Sequence, residues 1–171
     1  MRLLPAGGIL AALSLLVACS PAPAPVTAGP DTAAIRTALV AQMDKVGAAF
    51  AAKDTSVFRA VFMDDAVWTM QDASSSRGVA EILKTAAALF ASAESMQVES
   101  SNLDELIVVN DHEAVTFSSW TYTLKLKGKK AERHFNPFAD IWRKGADGSW
   151  KIAREINADG VAPEPKAAAK P

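Results

Sequence analysis

The feature that most constrains this chain is a change of hydrophobic period near its middle. From Asp31 to Phe90 the apolar residues recur three and four apart, as on one face of a helix. From Met96 onward they fall in extended runs rich in Val, Thr, Phe, Ile and Trp. The two periods do not interchange, so the first half is read as helices and the second as sheet. Helices first and a bent meander last predict an α+β fold: three N-terminal helices packed in a strongly curved, mainly antiparallel sheet.

The helices can be placed individually. Asp31 is an N-cap candidate ahead of a stripe at Ile35, Leu39, Met43, Val46 and Phe50. Asp54 is placed to cap a short second helix carrying Val57, Phe58, Val61 and Phe62, which Asp64-Asp65 ends before a brief strand from Val67 to Met70. A third helix follows Gly78 and carries Val79, Ile82, Leu83, Ala86 and Phe90. Asp72 and Arg77, in the polar loop ahead of it, are read as its caps rather than as guards of a cavity mouth. Beyond Met96, turn signals at Asn110-Asp111, at Lys127-Gly128 and across 145–148 imply four successive antiparallel strands.

The two ends have a different character. Residues 1–18 run from a cationic start at Arg2 through an apolar stretch to Ala18, the pattern of an export signal. Leu16-Val17-Ala18-Cys19 resembles the lipobox of bacterial lipoproteins, in which the cysteine is acylated and becomes the first residue. Cys19 is the only cysteine, so it has no partner for an intrachain disulfide, and it stands between the apolar stretch and a Pro/Ala-rich tether over residues 19–30. The resemblance implies membrane attachment through acylated Cys19 on the periplasmic side of the envelope. Ser20, rather than Asp, follows the cysteine, which in lipoproteins similar to the enterobacterial ones accompanies outer-membrane sorting. The folded domain is expected over residues 31–159, and residues 160–171 are again Pro- and Ala-rich and read as a disordered tail. With 18 Lys plus Arg against 19 Asp plus Glu, the chain has no electrostatic footprint for nucleic acid. Two histidines and no spare cysteine argue against a transition-metal site, and no cofactor motif is visible.

Three segments carry a family resemblance: AAFAAKDTSVFRAVFMDDAVW (48–68), SRGVAEILK (76–84) and FADIWRKGADGSWKIAREIN (138–157). In this order they are similar to the SnoaL-like branch of the nuclear-transport-factor-like superfamily. The resemblance implies a cone, in which a curved sheet wraps a long helix and leaves a cavity open at one end. Enzymes and non-enzymes share that cone, so the fold alone assigns no chemistry. Among the relatives, ketosteroid isomerases use a carboxylate base and an oxyanion hole of a tyrosine and a protonated aspartate. Here Met70 stands at the position of the base and Val46 at that of the tyrosine; only Asp140 falls near the position of the aspartate. The relatives often pair through the outer faces of their sheets, which implies a homodimer through Phe117, Phe135, Ala139 and Ile141.

Strand arithmetic then proposes a cavity wall. A hairpin centred on Gly128 sets Tyr122 opposite His134, Trp120 opposite Asn136, Ser118 opposite Phe138 and Thr116 opposite Asp140. If the even-numbered face is concave, as the isomerase resemblance suggests, the candidate ligand-binding residues are Trp68, Met70, Trp120, Tyr122, His134, Asn136 and Asp140. The last strand would add Ala153, Glu155 and Asn157. Each has a plainer reading. Large inward aromatics supply core wherever they fall; Tyr122 and His134 make a structural pair; and Asp140 partners a backbone amide or an arginine. No residue is assigned a catalytic role. The expected function is binding of a small, largely apolar molecule in the cone without catalysis. Two alternatives stand beside it: an enzyme of the same superfamily, a dehydratase, hydrolase, cyclase or isomerase acting on a polycyclic or terpenoid-like substrate, and a structural module whose cavity its own side chains fill.

Overall fold

The computed structural model describes residues 29–158, so the signal, tether and tail lie outside the described residues. The chain runs through α1 (Thr32–Ala52), α2 (Ser56–Val61), β1 (Phe62–Thr69), β2 (Ser75–Arg77), α3 (Val79–Ser92), β3 (Ala93–Asn110), β4 (Glu113–Leu126), β5 (Ala131–Lys144) and β6 (Trp150–Asn157). The six strands form one sheet in the order β2-β1-β6-β5-β4-β3. Every pairing is antiparallel except that of β1 with β6, which run parallel. The α+β class and the three helices are as the periodicity predicts.

Local chemistry explains where α1 begins and ends. The Asp31 carboxylate accepts from the backbone N–H of Ala34 at 3.0 Å, satisfying one of the free donors of the first turn. Lys53 closes the helix in the left-handed region at φ 56°, and its ammonium donates to the carbonyls of Ala93 and Glu94 where β3 begins. The whole predicted stripe, Ile35, Leu39, Met43, Val46 and Phe50, is buried against the sheet. Asp54 accepts from the N–H of Ser56 at 2.8 Å just ahead of α2, although Thr55 rather than Asp54 occupies the N-cap position of that helix.

Two elements differ from the sequence reading. Helix α2 stops at Val61, and Phe62, read as its last apolar residue, opens β1 instead, because its backbone pairs with Ile152 of β6. The polar loop contains a strand, β2, that pairs antiparallel with Val67–Thr69. Asp72 and Arg77 do not cap α3. Asp72 accepts from Ser74 N within its own turn, and the N–H of Arg77 is taken by Glu81, inside the helix. At the junction itself Gly78 has φ 80°, and a Cβ there would meet the carbonyl oxygen of Asp64 at 3.3 Å, so glycine is required on both counts.

Rings fill the space between helices and sheet. Phe58, fully buried, lies 5.4 Å from Phe50, 5.9 Å from both Phe62 and Trp68, and 6.0 Å from Phe90, centroid to centroid. Phe50 meets Trp120 edge-on at 5.3 Å, and Trp120 meets Phe138 at the same distance. One aromatic cluster thus ties α1, α2 and α3 to β1, β4 and β5. Burying a side chain of this size contributes about 2–3 kcal/mol, and favourable ring geometry adds to it.

Candidate functional site

The hairpin register is the one that Gly128 predicts: Tyr122 pairs with His134, Trp120 with Asn136, Ser118 with Phe138 and Thr116 with Asp140. The even-numbered face is the concave one. Trp120, Asn136, Phe138 and Asp140 are each 8 % exposed or less, whereas Phe117 on the other face is 44 % exposed. Inside the sheet each polar group finds a specific partner. Trp120 Nε1 donates to Ser101, Trp142 Nε1 to Thr116, and Ser118 Oγ to the sulfur of Met43.

Asp140 is the exception. It is fully buried, and neither carboxyl oxygen has a hydrogen-bond partner. Neither the backbone amide nor the arginine of the plainer reading is there. Its cross-strand neighbour is Glu155, and Glu155 in turn pairs with Trp68 across the parallel β1–β6 ladder. The Oε1 atom of Glu155 accepts from Trp68 Nε1 at 2.7 Å and from Asn157 Nδ2 at 2.9 Å. Among the described residues no donor reaches Oε2. Burial pushes the Asp140 carboxyl well above the usual aspartate range, and the charge of Glu155 pushes it further. Burial raises Glu155 to about 7, against the lowering pull of its two donors.

A chain of side-chain amides leads outward from the pair. Asn157 Nδ2 also donates to the carbonyl of Thr69, its Oδ1 accepts from Asn136, and Asn136 accepts from Gln71 at 2.9 Å. Gln71 and Met70 line a cavity of about 510 Å³ together with Asp72, Ser74 and Thr85. Asp72 therefore borders a cavity mouth, the role the sequence reading set second.

The structure places the sequence-proposed ligand residues in four settings. Trp68, Asn136 and Asp140 converge on the polar interior, and Met70 stands at the cavity. Trp120 is locked in the aromatic cluster. Tyr122 and His134 stack at 5.1 Å with 18° between their planes, toward the β4–β5 turn, where His134 borders a separate cavity of about 250 Å³. Val46 is core, 5 % exposed. Cys19 lies outside the described residues. Strand alternation had turned Glu155 and Asn157 inward; what the sequence did not reveal is the parallel β1–β6 pairing that sets Trp68 against Glu155. Among the described residues no group of three or more His, Cys, Asp or Glu side chains is placed to hold a metal, and no helix is long and apolar enough to cross a membrane.

A family model for the SnoaL-like domain matches residues 43–155, a span from the middle of α1 to Glu155 itself. The chain belongs to the SnoaL-like family. Solved structures share the SnoaL-like fold at low identity. A ketosteroid isomerase-like protein from Erwinia carotovora atroseptica is 22 % identical with a TM-score of 0.64, the match covering 77 % of this chain and 96 % of that one. A putative scytalone dehydratase from Novosphingobium aromaticivorans is 14 % identical with a TM-score of 0.69, covering 75 % and 86 %. A type 2 hexachlorocyclohexane dehydrochlorinase is 16 % identical with a TM-score of 0.68, covering 81 % and 95 %. No curated protein matches the chain by sequence. At these identities the likeness is one of fold: helices held against a curved mixed sheet, with the same cone able to serve different chemistries.

Proposed function

We propose that this SnoaL-like domain is held at the periplasmic face of the envelope by acylated Cys19 and binds a small, largely apolar molecule whose polar group meets the Asp140–Glu155 pair. The observation that carries the binding reading is Asp140: a carboxyl group fully buried with both oxygens unpartnered is a cost that a ligand group can relieve. Beside the pair, Trp68 supplies an apolar wall, and Met70 extends that wall to the 510 Å³ cavity. Binding without turnover is favoured at the isomerase-like positions, because Met70 cannot take a proton and Val46 cannot donate a hydrogen bond. The anchor reading rests on the lipobox-like residues 16–19, and outer-membrane sorting on Ser20. Pairing of two copies through the outer sheet face is part of the same proposal.

A second reading has one specific observation in its favour. Glu155, near 7 and with Oε2 free of donors, has the properties of a general base beside an acid whose proton burial retains to higher pH than usual. Two proteins of the same fold bear the names dehydratase and dehydrochlorinase. One experiment separates the two readings. Titrating the domain with 2-naphthol while following tryptophan fluorescence should give a saturable change that Asp140→Leu weakens, and a β,γ-unsaturated ketosteroid should turn over at the background rate. No saturable response would sink the binding reading, and isomerisation abolished by Glu155→Gln would establish the enzymatic one.

A further inference from the structure

Both carboxyl oxygens of Asp140 are buried without a hydrogen-bond partner, and the donors that reach half-buried Glu155 among the described residues meet Oε1 and leave Oε2 open. The two residues are direct neighbours across β5–β6, which places their Cβ atoms about 5 Å apart on the same face of the sheet. No described cation pairs with either carboxyl. The ion pairs seen among the described residues join other side chains, and Arg154, adjacent to Glu155, turns its guanidinium to the carbonyls of Asp65 and Ala153. Aromatic side chains flank the pair: Phe138 and Trp142 stand two residues either side of Asp140 on the same strand, and Trp68 bonds to Glu155.

From this arrangement, and granting the small-molecule reading of the same site, we infer that the ligand carries a primary ammonium group on an apolar body. A primary ammonium offers three N–H donors, one for each open oxygen, where a hydroxyl offers one. It also brings a positive charge that favours the ionised forms of the two carboxyls, which burial alone disfavours, in surroundings where charge-assisted bonds are at their strongest. The apolar body leads from Trp68 past Met70, two residues on, toward the cavity that Met70 and Gln71 line. Asn157 and Trp68 hold Glu155 by Oε1 alone, which leaves Oε2 for the ligand.

The test is a calorimetric comparison of four probes of similar size on the full chain near neutral pH: 2-phenylethylamine, 2-phenylethanol, propylbenzene and phenyltrimethylammonium. The amine is expected to bind at least about tenfold more tightly than any of the others. In the isosteric double variant Asp140→Asn, Glu155→Gln its affinity should fall to that of the alcohol. Should the double variant fail to fold, the wild-type ranking decides alone. Alcohol or hydrocarbon binding as tightly as the amine overturns the ammonium and leaves the apolar cavity standing. Phenyltrimethylammonium matching the amine overturns the three-donor geometry, since it carries the charge without the N–H groups. Binding of none of the four overturns both the inference and the reading beneath it.

Discussion

Asp140 and Glu155 are direct partners in the β5–β6 ladder, and no described cation pairs with either of them. Both keep their protons to higher pH in the folded chain than in the unfolded one, because burial disfavours the charged forms. The native state therefore binds more protons than the unfolded chain above the ordinary carboxyl range, and stability falls as pH rises. For Glu155 the fall runs from pH 4.5 to about 7 and amounts to at most about 3 kcal/mol; Asp140, raised in the same direction, adds to it. A series of thermal melts should show the midpoint dropping over this window. Asp140→Asn should flatten the curve and raise stability at pH 8 by about 1 kcal/mol, since the amide can donate to Glu155. A midpoint that rises with pH would contradict the arrangement.

Phe58 touches four other rings and has no exposed surface. Phe58→Ala should destabilise the domain by about 3–5 kcal/mol, measured by urea denaturation, because it leaves a cavity among four packed rings. A loss under about 1 kcal/mol would mean that the interior repacks freely.

The convex face of the sheet carries Ile107, Phe117 and Ile156 at 45 %, 44 % and 54 % exposure, with Ala139 between Phe117 and Ile156 in the ladder. Phe135, Ala139 and Ile141 are half-buried on the same face. An apolar patch of this extent is expected to be covered by a second copy. Light scattering on the domain should give twice the monomer mass, and Phe117→Asp should give the monomer without loss of helix or strand signal. A strict monomer at tens of micromolar would remove the dimer.

Cys19→Ser should release the chain from membranes or stall its processing, as read by fractionation and mass spectrometry of the mature N-terminus. Two or more acyl chains suffice for stable anchoring, so wild-type protein recovered soluble and unacylated would end the lipoprotein proposal.

Where sequence reading succeeded, a single local rule sufficed. The stripe from Ile35 to Phe50 fixed the buried face of α1, and Gly128, at φ 72° in a short turn, fixed thirteen residues of β4–β5 register at once. It failed where partners are distant. Nothing in Ser75–Arg77 alternates, so β2 is defined only by its pairing with β1. Phe62 continues the helical spacing of Val57, Phe58 and Val61, and only Ile152 of β6 makes it a strand residue. The candidate site divides the same way. Asp140 was legible from its place opposite Thr116, whereas its relation to Glu155 depends on the register of β6, which shifts between Ile141 and Trp142. The amide chain from Gln71 to Asn157 joins three separate segments and has no signature in any one of them.

The parallel β1–β6 contact has a further consequence for how the chain is made. Phe62 waits for Ile152, and Trp68 waits for Glu155, across most of the length of the domain. As the polypeptide is made N-terminus first, β1 lacks its β6 neighbour until the final strand arrives. Ordering so much chain before the rewarding contacts form makes folding slow. If the chain is exported as proposed, that delay is useful, because a precursor that has not finished folding stays threadable. The same dependence makes the last strand a checkpoint: a chain truncated before Trp150 would lose the neighbour of both β1 and β5 and leave two half-sheets with nothing between them.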